Sequence, residues 1–308
     1  TSFNTVIQAG GTTQMDADFS SVDELIISNG GTISHVAGSV VDNGTSFSNR
    51  GGLFASSSAF RFDGDTGYIS AGDSGDATYG NQNIFDGGGT IEFWVRPEGS
   101  GKAGYGRIID KKYWWLALSN EDSGNTKVNF YQNFTGNDAS WKSNAIIPND
   151  KWSHVVVTYD NSDVANEPKF YVDGKQVLTV QWDTPTLDRN SDVGFPMYIG
   201  NENFNNNYTF SGTIGMARLF TVIRTAAEIR TDMFNAFGDM ADATDMPRMY
   251  QFNEGEGTAL KNVADAGGTS GDATITLGGS DWATGGTWVA GNTLSSSAAN
   301  VYIGNRGT

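Results

Sequence analysis

Strict alternation of apolar and polar residues, interrupted by glycine-bearing turns, recurs through the middle of this chain and points it toward antiparallel β structure. In GTIEFWVRP, Ile91, Phe93 and Val95 alternate with Glu92, Trp94 and Arg96, and Pro97 stops the run. Successive side chains of a strand point to opposite faces, so a period of two sends one set to a core and the other away from it. Phe60 and Phe62 share a face in AFRFDGDTGYISAG, and RIIDKKYWWLALS reads as two strands about a Lys-Lys turn. KVNFYQNF, KWSHVVVTYD, KFYVDGKQV, MYIGN and GTIGMARLF follow as further strands. Asp173-Gly174 is a two-residue hairpin turn, of the kind whose central positions take positive φ. The 40 glycines against 6 prolines suit many short strands joined by tight turns. One helix is predicted: Thr225-Ala-Ala-Glu228 spells a capping box, Ile229, Met233 and Phe237 recur every four residues as a packing stripe, and Gly238 ends it.

The chain divides into three parts. Residues 1–50 are a β arm or small β subdomain, 51–290 hold the main sandwich, and 291–308 form a β tail in the style of the arm. In the arm, Ile26, Ile27 and Ile33 surround Asn29-Gly30-Gly31. That pattern reads as a hairpin, or as solenoid-like rungs too few to stand alone. Beyond a linker at 238–247, RMYQF and DATITLGG read as strands.

The order of pieces over 59–237 resembles the laminin G-like, concanavalin A-like lectin/glucanase superfamily. AFRFDGDTGYISAG is similar to its opening strand pair and GTIEFWVRP to its next core strand. KWSHVVVTYD with KFYVDGKQV resembles its Trp-x-His-Val strand and Asp-Gly hairpin. MYIGN and SGTIGMARLFTVIRTAAEI resemble its Ile-Gly-Asn turn, Gly-x-Ile strand and closing helix. The resemblance covers a core of 52–237 and implies an all-β, antiparallel jelly-roll sandwich with one short helix and small β arms at both termini. The segment 247–290 resembles what precedes the opening strand in that family, so it is expected to complete the sandwich in a permuted order. The resemblance also implies binding of glycans or proteins, often with calcium at a loop rim.

Composition narrows the partners. A net charge of −16 repels nucleic acid and anionic membranes. With no cysteine, disulfides and thiolate metal sites are excluded. No apolar run approaches the ~18 residues of a membrane span, and the opening TSFNTVIQAGG does not read as a signal peptide.

Catalysis is disfavoured by the residues. Glycoside hydrolysis needs two carboxylates flanking the scissile bond. The glucanase branch sets them on one strand as Glu-x-Asp-x-x-Glu, whereas Glu92 is followed by Phe-Trp-Val-Arg and reads as an outward-facing strand residue. His154 lies where the family has a structural histidine. Ser119 to Lys127 resembles a sialidase Asp-box but lacks its tryptophan and reads as a polar hairpin.

Glycan binding calls for aromatic faces beside amides and carboxylates. Tyr113, Trp114, Trp115, Trp141, Trp182 and Tyr208 are the aromatic candidates. Trp114 and Trp115 must face opposite ways, so one is core. Trp141, Asn203, Asn205, Tyr208 and Trp114 are taken as the binding set, with Trp141 and the 203–208 loop favoured because their neighbours are polar. Asp63, Asp65, Asn201 and Glu202 are the expected calcium ligands, with turn formation as the other account of these residues. The expected function is non-catalytic: a bacteriophage virion surface subunit, of decoration or fibre type, made in the host cytoplasm. It would attach to a cell-surface glycan or to other virion proteins as a homo-oligomer, a trimer being favoured. A glycan-binding module of a secreted bacterial adhesin is the alternative, and a polysaccharide-degrading enzyme the third reading.

Overall fold

The computed structural model describes residues 3–9, 12–15, 22–28, 32–35, 46–50, 58–71, 84–120, 125–202, 207–233, 245–264, 272–276 and 287–290. The chain falls into two units, Thr1–Leu53 with Asn292–Thr308, and Phe54–Gly291.

The first unit contains β1 (Phe3–Ala9), β2 (Thr12–Met15), β3 (Val22–Ser28), β4 (Thr32–His35) and β5 (Ser46–Arg50). All of their pairings are parallel: β1 with β3, β3 with β5, and β2 with β4. Phe3 lies opposite Val22, Thr12 opposite Thr32 and Glu24 opposite Ser46. The chain thus advances by roughly 20 residues per turn, the pitch of a solenoid coil. The strands that flank Asn29-Gly30-Gly31 do not pair with each other. Of the two sequence readings the rungs hold and the hairpin does not, because each apolar stretch finds its partner one coil away.

In the second unit the strands follow as β6 (Ser58–Asp63), β7 (Tyr68–Ser70), β8 (Gly89–Pro97), β9 (Tyr105–Lys111), β10 (Trp114–Asn120), β11 (Asn125–Gln132), β12 (Ala139–Ser143) and β13 (Ile147–Pro148). Next come β14 (Ser153–Tyr159), β15 (Lys169–Val172), β16 (Lys175–Val177), β17 (Thr179–Gln181), β18 (Tyr198–Ile199) and β19 (Ser211–Phe220). After the helix α1 (Ala226–Asp232) the chain adds β20 (Arg248–Tyr250), β21 (Ala259–Leu260), β22 (Ala273–Thr276) and β23 (Thr287–Ala290). They form a sandwich of two antiparallel sheets. A ten-stranded sheet runs β17-β12-β11-β10-β9-β18-β7-β22-β21, with β13 beside β11. An eight-stranded sheet runs β16-β15-β14-β8-β19-β6-β23, with β20 beside β19. The segment after α1 therefore supplies strands to both sheets.

The core lies between the sheets. Ile91, Phe93 and Val95 of β8 and Val155, Val157 and Tyr159 of β14 meet Trp114, Leu116 and Leu118 of β10, Phe130 of β11 and Trp141 of β12. The Asp173-Gly174 turn has φ of 51° and 70°, and a Cβ on Gly174 would fall 2.3 Å from Met233 Cε, so only glycine suits it.

The far face of the eight-stranded sheet is also covered. Trp94, Met216, Met233, Met246 and Met249 form a second apolar cluster, and Ile229 of α1 packs on Val156 and Tyr171. The capping box is present, Thr225 Oγ1 accepting from Glu228 N–H while Glu228 reaches back to the Thr225 N–H. The helix ends at Asp232, earlier than the Phe237 stripe predicts. The Met233 carbonyl accepts from Trp94 Nε1 at 2.7 Å and Arg218 Nη2 at 3.0 Å. Those long-range donors take the place of another helical turn; Phe237 and Gly238 lie outside the described residues.

Candidate functional site

Two clusters of chemically capable side chains stand out, and burial separates them. The first is centred on Glu92. Its carboxylate contacts Arg224 Nη1 at 2.8 Å, Arg218 Nη1 at 3.5 Å and His154 Nε2 at 3.6 Å, and Arg224 also pairs with Asp232. Burial alone would raise the Glu92 carboxyl, but His154, Arg218 and Arg224 together outweigh it and hold the group at about 2. Glu92 does face away from the sandwich core, as its strand parity predicts. The expectation that it faces outward is corrected all the same: α1 and the Arg224 segment seal it, and its exposure is 0%. Glu92, His154 and Arg218 are each 0% exposed.

The second cluster lies on the outer face of the ten-stranded sheet. Along β10, Trp114, Leu116 and Leu118 enter the core, so Trp115, Ala117 and Ser119 take the outer face. On β11 the outer set is Lys127, Asn129 and Tyr131, and on β12 it is Ser140 and Lys142. Of these, Trp115, Asn129, Tyr131, Ser140 and Lys142 line an open cleft of about 280 Å³ together with Tyr105, Trp141, Trp182 and Asp183. Trp115 and Tyr131, directly opposed across β10 and β11, stack with ring centroids 5.1 Å apart and planes 6° apart.

Their neighbours hold these rings in place. The Arg107 guanidinium lies 5.2 Å from the Trp115 ring and 4.5 Å from the Tyr208 ring, and pairs with Asp110 and Glu202. Burial pushes the Asp110 carboxyl up against the pull of Arg107. On the other side Tyr131 donates its hydroxyl to Asp138, which also accepts from Asn133 and the Phe134 N–H. Burial and that bond to Asp138 push the Tyr131 phenol up to about 12. Lys142 Nζ sits 5.3 Å from the Trp182 ring, and Trp182 is 67% exposed. Asn129 is only 7% exposed, and its Nδ2 has no hydrogen-bond partner among the described residues.

The cleft keeps little of the sequence-derived binding set. Trp114 is 1% exposed and donates Nε1 to Asp192 inside the sandwich; the outward member of the pair is Trp115. Trp141 is likewise 1% exposed and stacks near Phe130 and Tyr159. It occupies a strand and not an exposed loop, and the polar Ser140 and Lys142 beside it are the outward half of the alternation. Tyr208 is half-buried beneath Arg107 at the margin of the cluster, and Asn203 and Asn205 lie outside the described residues. Sequence reasoning missed Asn129 and Tyr131 and set Trp115 aside. The signal was the phase of Trp115 with Ala117 and Ser119, against that of Trp114 with Leu116 and Leu118.

The expected calcium ligands have separate protein partners. Asp63 Oδ1 accepts from the N–H groups of Asp65 and Thr66, a local turn. Asp65 pairs with Lys102, Glu202 with Arg107, and buried Asn201 accepts from the Glu202 N–H. Among the described residues no group of three or more His, Cys, Asp or Glu is placed to hold a metal ion. Among them, too, no helix is long and apolar enough to cross a membrane.

The family model for the concanavalin A-like lectin/glucanases superfamily matches residues 63–230, more than half of the chain, and the chain belongs to that superfamily. No curated protein sequence matches it. Among solved structures, a Bacteroides ovatus protein named as a presumed carbohydrate binding protein is similar at a TM-score of 0.53 and 19% identity. That match covers 80% of this chain and 62% of the other, so this chain spans less than two thirds of that relative. A Ruminococcus gnavus sialidase carbohydrate-binding module bound to α2,3-sialyllactose matches at 0.41 and 15% identity, over 56% of this chain and 95% of that one. Tailspike protein 2 of the Escherichia coli O157:H7 bacteriophage CAB120 matches at 0.40 and 9% identity, over 81% of this chain and 46% of that one.

Proposed function

We propose that this member of the concanavalin A-like lectin/glucanases superfamily binds glycans in the cleft on the outer face of its ten-stranded sheet, without catalysing their cleavage. The carrying observation is the make-up of the cleft: stacked Trp115 and Tyr131 and exposed Trp182 wall it, with Asn129, Ser140, Lys142 and Asp183 among them. Aromatic faces beside a few convergent polar groups are what sugar recognition requires. The non-catalytic reading is supported by Glu92, the carboxylate nearest to the glucanase pattern, which is sealed on the opposite sheet.

The finer proposal is a bacteriophage virion surface subunit, trimeric, with the cleft directed at a host glycan. It is supported by the unit of parallel coils, in which β1 and β5 are the outer strands of the three-stranded sheet among the described residues, a layout suited to assembly, and by the net charge of −16. A glycan-binding module of a secreted adhesin is the second reading, favoured by the likeness in fold to the Bacteroides ovatus protein named as a presumed carbohydrate binding protein.

The test is Asn129→Ala on a glycan array and by titration calorimetry. Binding is expected to weaken about tenfold or more, while thermal stability holds or rises because an unpaired buried donor has gone. Undiminished binding would overturn the assignment of the cleft.

A further inference from the structure

We propose that the cleft clasps one hexopyranose ring between the faces of Tyr131 and Trp182, above Ser140. This rests on the glycan reading above and specifies its ligand. Trp115, Tyr131, Ser140 and Trp182 form one row across β10, β11, β12 and the residue that follows the edge strand β17. Trp115 is opposite Tyr131, Tyr131 is opposite Ser140, and the Trp182 N–H donates to the Ser140 carbonyl at 2.9 Å. Adjacent strands lie ~4.8 Å apart. Rings one strand apart therefore touch, as Trp115 and Tyr131 do at 5.1 Å. Tyr131 and Trp182 are two strands apart, roughly 9.6 Å, and the residue between them is a serine.

That gap has the size of one saturated ring. Carbon atoms pack best at about 3.5–4.0 Å, so a ring held between two aromatic faces needs roughly 7–8 Å, plus its own pucker. The Tyr131 ring is parallel to that of Trp115, so one face is covered by the tryptophan and the other looks across Ser140. Asp138 holds the Tyr131 hydroxyl and Arg107 backs Trp115, which fixes this wall before any ligand arrives. Trp182, 67% exposed just past the end of the edge strand, is the second jaw.

Polar groups at the base of the slot can meet the ring hydroxyls. Ser140 Oγ donates its hydrogen to Asp183 Oδ2 at 2.6 Å, which leaves the Ser140 lone pairs and the second Asp183 oxygen as acceptors. Asn129 and Lys142 line the same cleft and carry donor groups.

The experiment compares wild type, Ser140→Leu and Trp182→Ala on neutral and on carboxylate-bearing oligosaccharides by titration calorimetry, with melting temperatures as the check on folding. Ser140→Leu fills the slot from an outer-face position, and Trp182→Ala removes one jaw. Each is expected to weaken glycan binding about tenfold or more at an unchanged melting temperature. If wild type binds glycan and Ser140→Leu or Trp182→Ala binds it equally well, the slot is overturned and the glycan reading stands. If wild type binds no glycan of either kind, both fall together.

Discussion

Replacing Glu92 by glutamine keeps the shape of the side chain and removes the charge that faces Arg218 and Arg224 under α1. Breaking one side of a buried ion pair costs about 3–5 kcal/mol, because the other charge stays buried without compensation. Arg224 keeps Asp232, while Arg218 keeps the Met233 carbonyl and the Met216 sulfur, so the lower end of that range applies. A second route agrees: a carboxyl held at about 2 against its ordinary 4.5 corresponds to about 3 kcal/mol. For a domain of this size that lowers the melting temperature by roughly 6–12 °C. Glu92 is depressed in the folded state, so its contribution is complete above pH 4.5 and is lost as pH falls toward 2. The gap between Glu92→Gln and wild type should therefore close over that window. Thermal unfolding followed by circular dichroism at several pH values reads both effects, and glycan affinity of the same samples should be unchanged. A melting temperature within ~1 °C of wild type at pH 7 would refute the energetic argument. Loss of binding or of a glycan-cleaving activity at unchanged stability would refute the structural role.

Two further outcomes follow from other parts of the chain. Thr225→Ala removes the side chain that accepts the Glu228 N–H and should cost about 1 kcal/mol, roughly 2–4 °C in melting temperature, with no effect on binding. The proposed trimer should show three times the chain mass of 32.9 kDa in light scattering, and a concentration-independent monomer would remove it.

Much of the sandwich is legible in the order of residues. The alternation in GTIEFWVRP, the Asp173-Gly174 turn and the Thr225–Glu228 capping box are each settled by neighbours in the chain, since strand parity, turn dihedrals and helix caps are local. The opposition of Trp114 and Trp115 is legible for the same reason. Which of them is buried depends on β9 and β11 on either side and on the second sheet beneath, so only the tertiary structure chooses Trp115 for the surface. Trp141 misleads because polar neighbours mark a loop and an alternating strand alike; it is the pairing with Phe130 that places it in the core. Glu92 has the same duality: its outward phase is a property of β8, whereas its burial comes from α1, more than a hundred residues later. Asn129 carries no local signal at all, because an unpaired amide is defined by everything that fails to reach it. Periodicity belongs to contiguous residues and can be read along the chain. Coverage of a face, and hence the proposed binding cleft, is set by segments distant in sequence that only folding brings together.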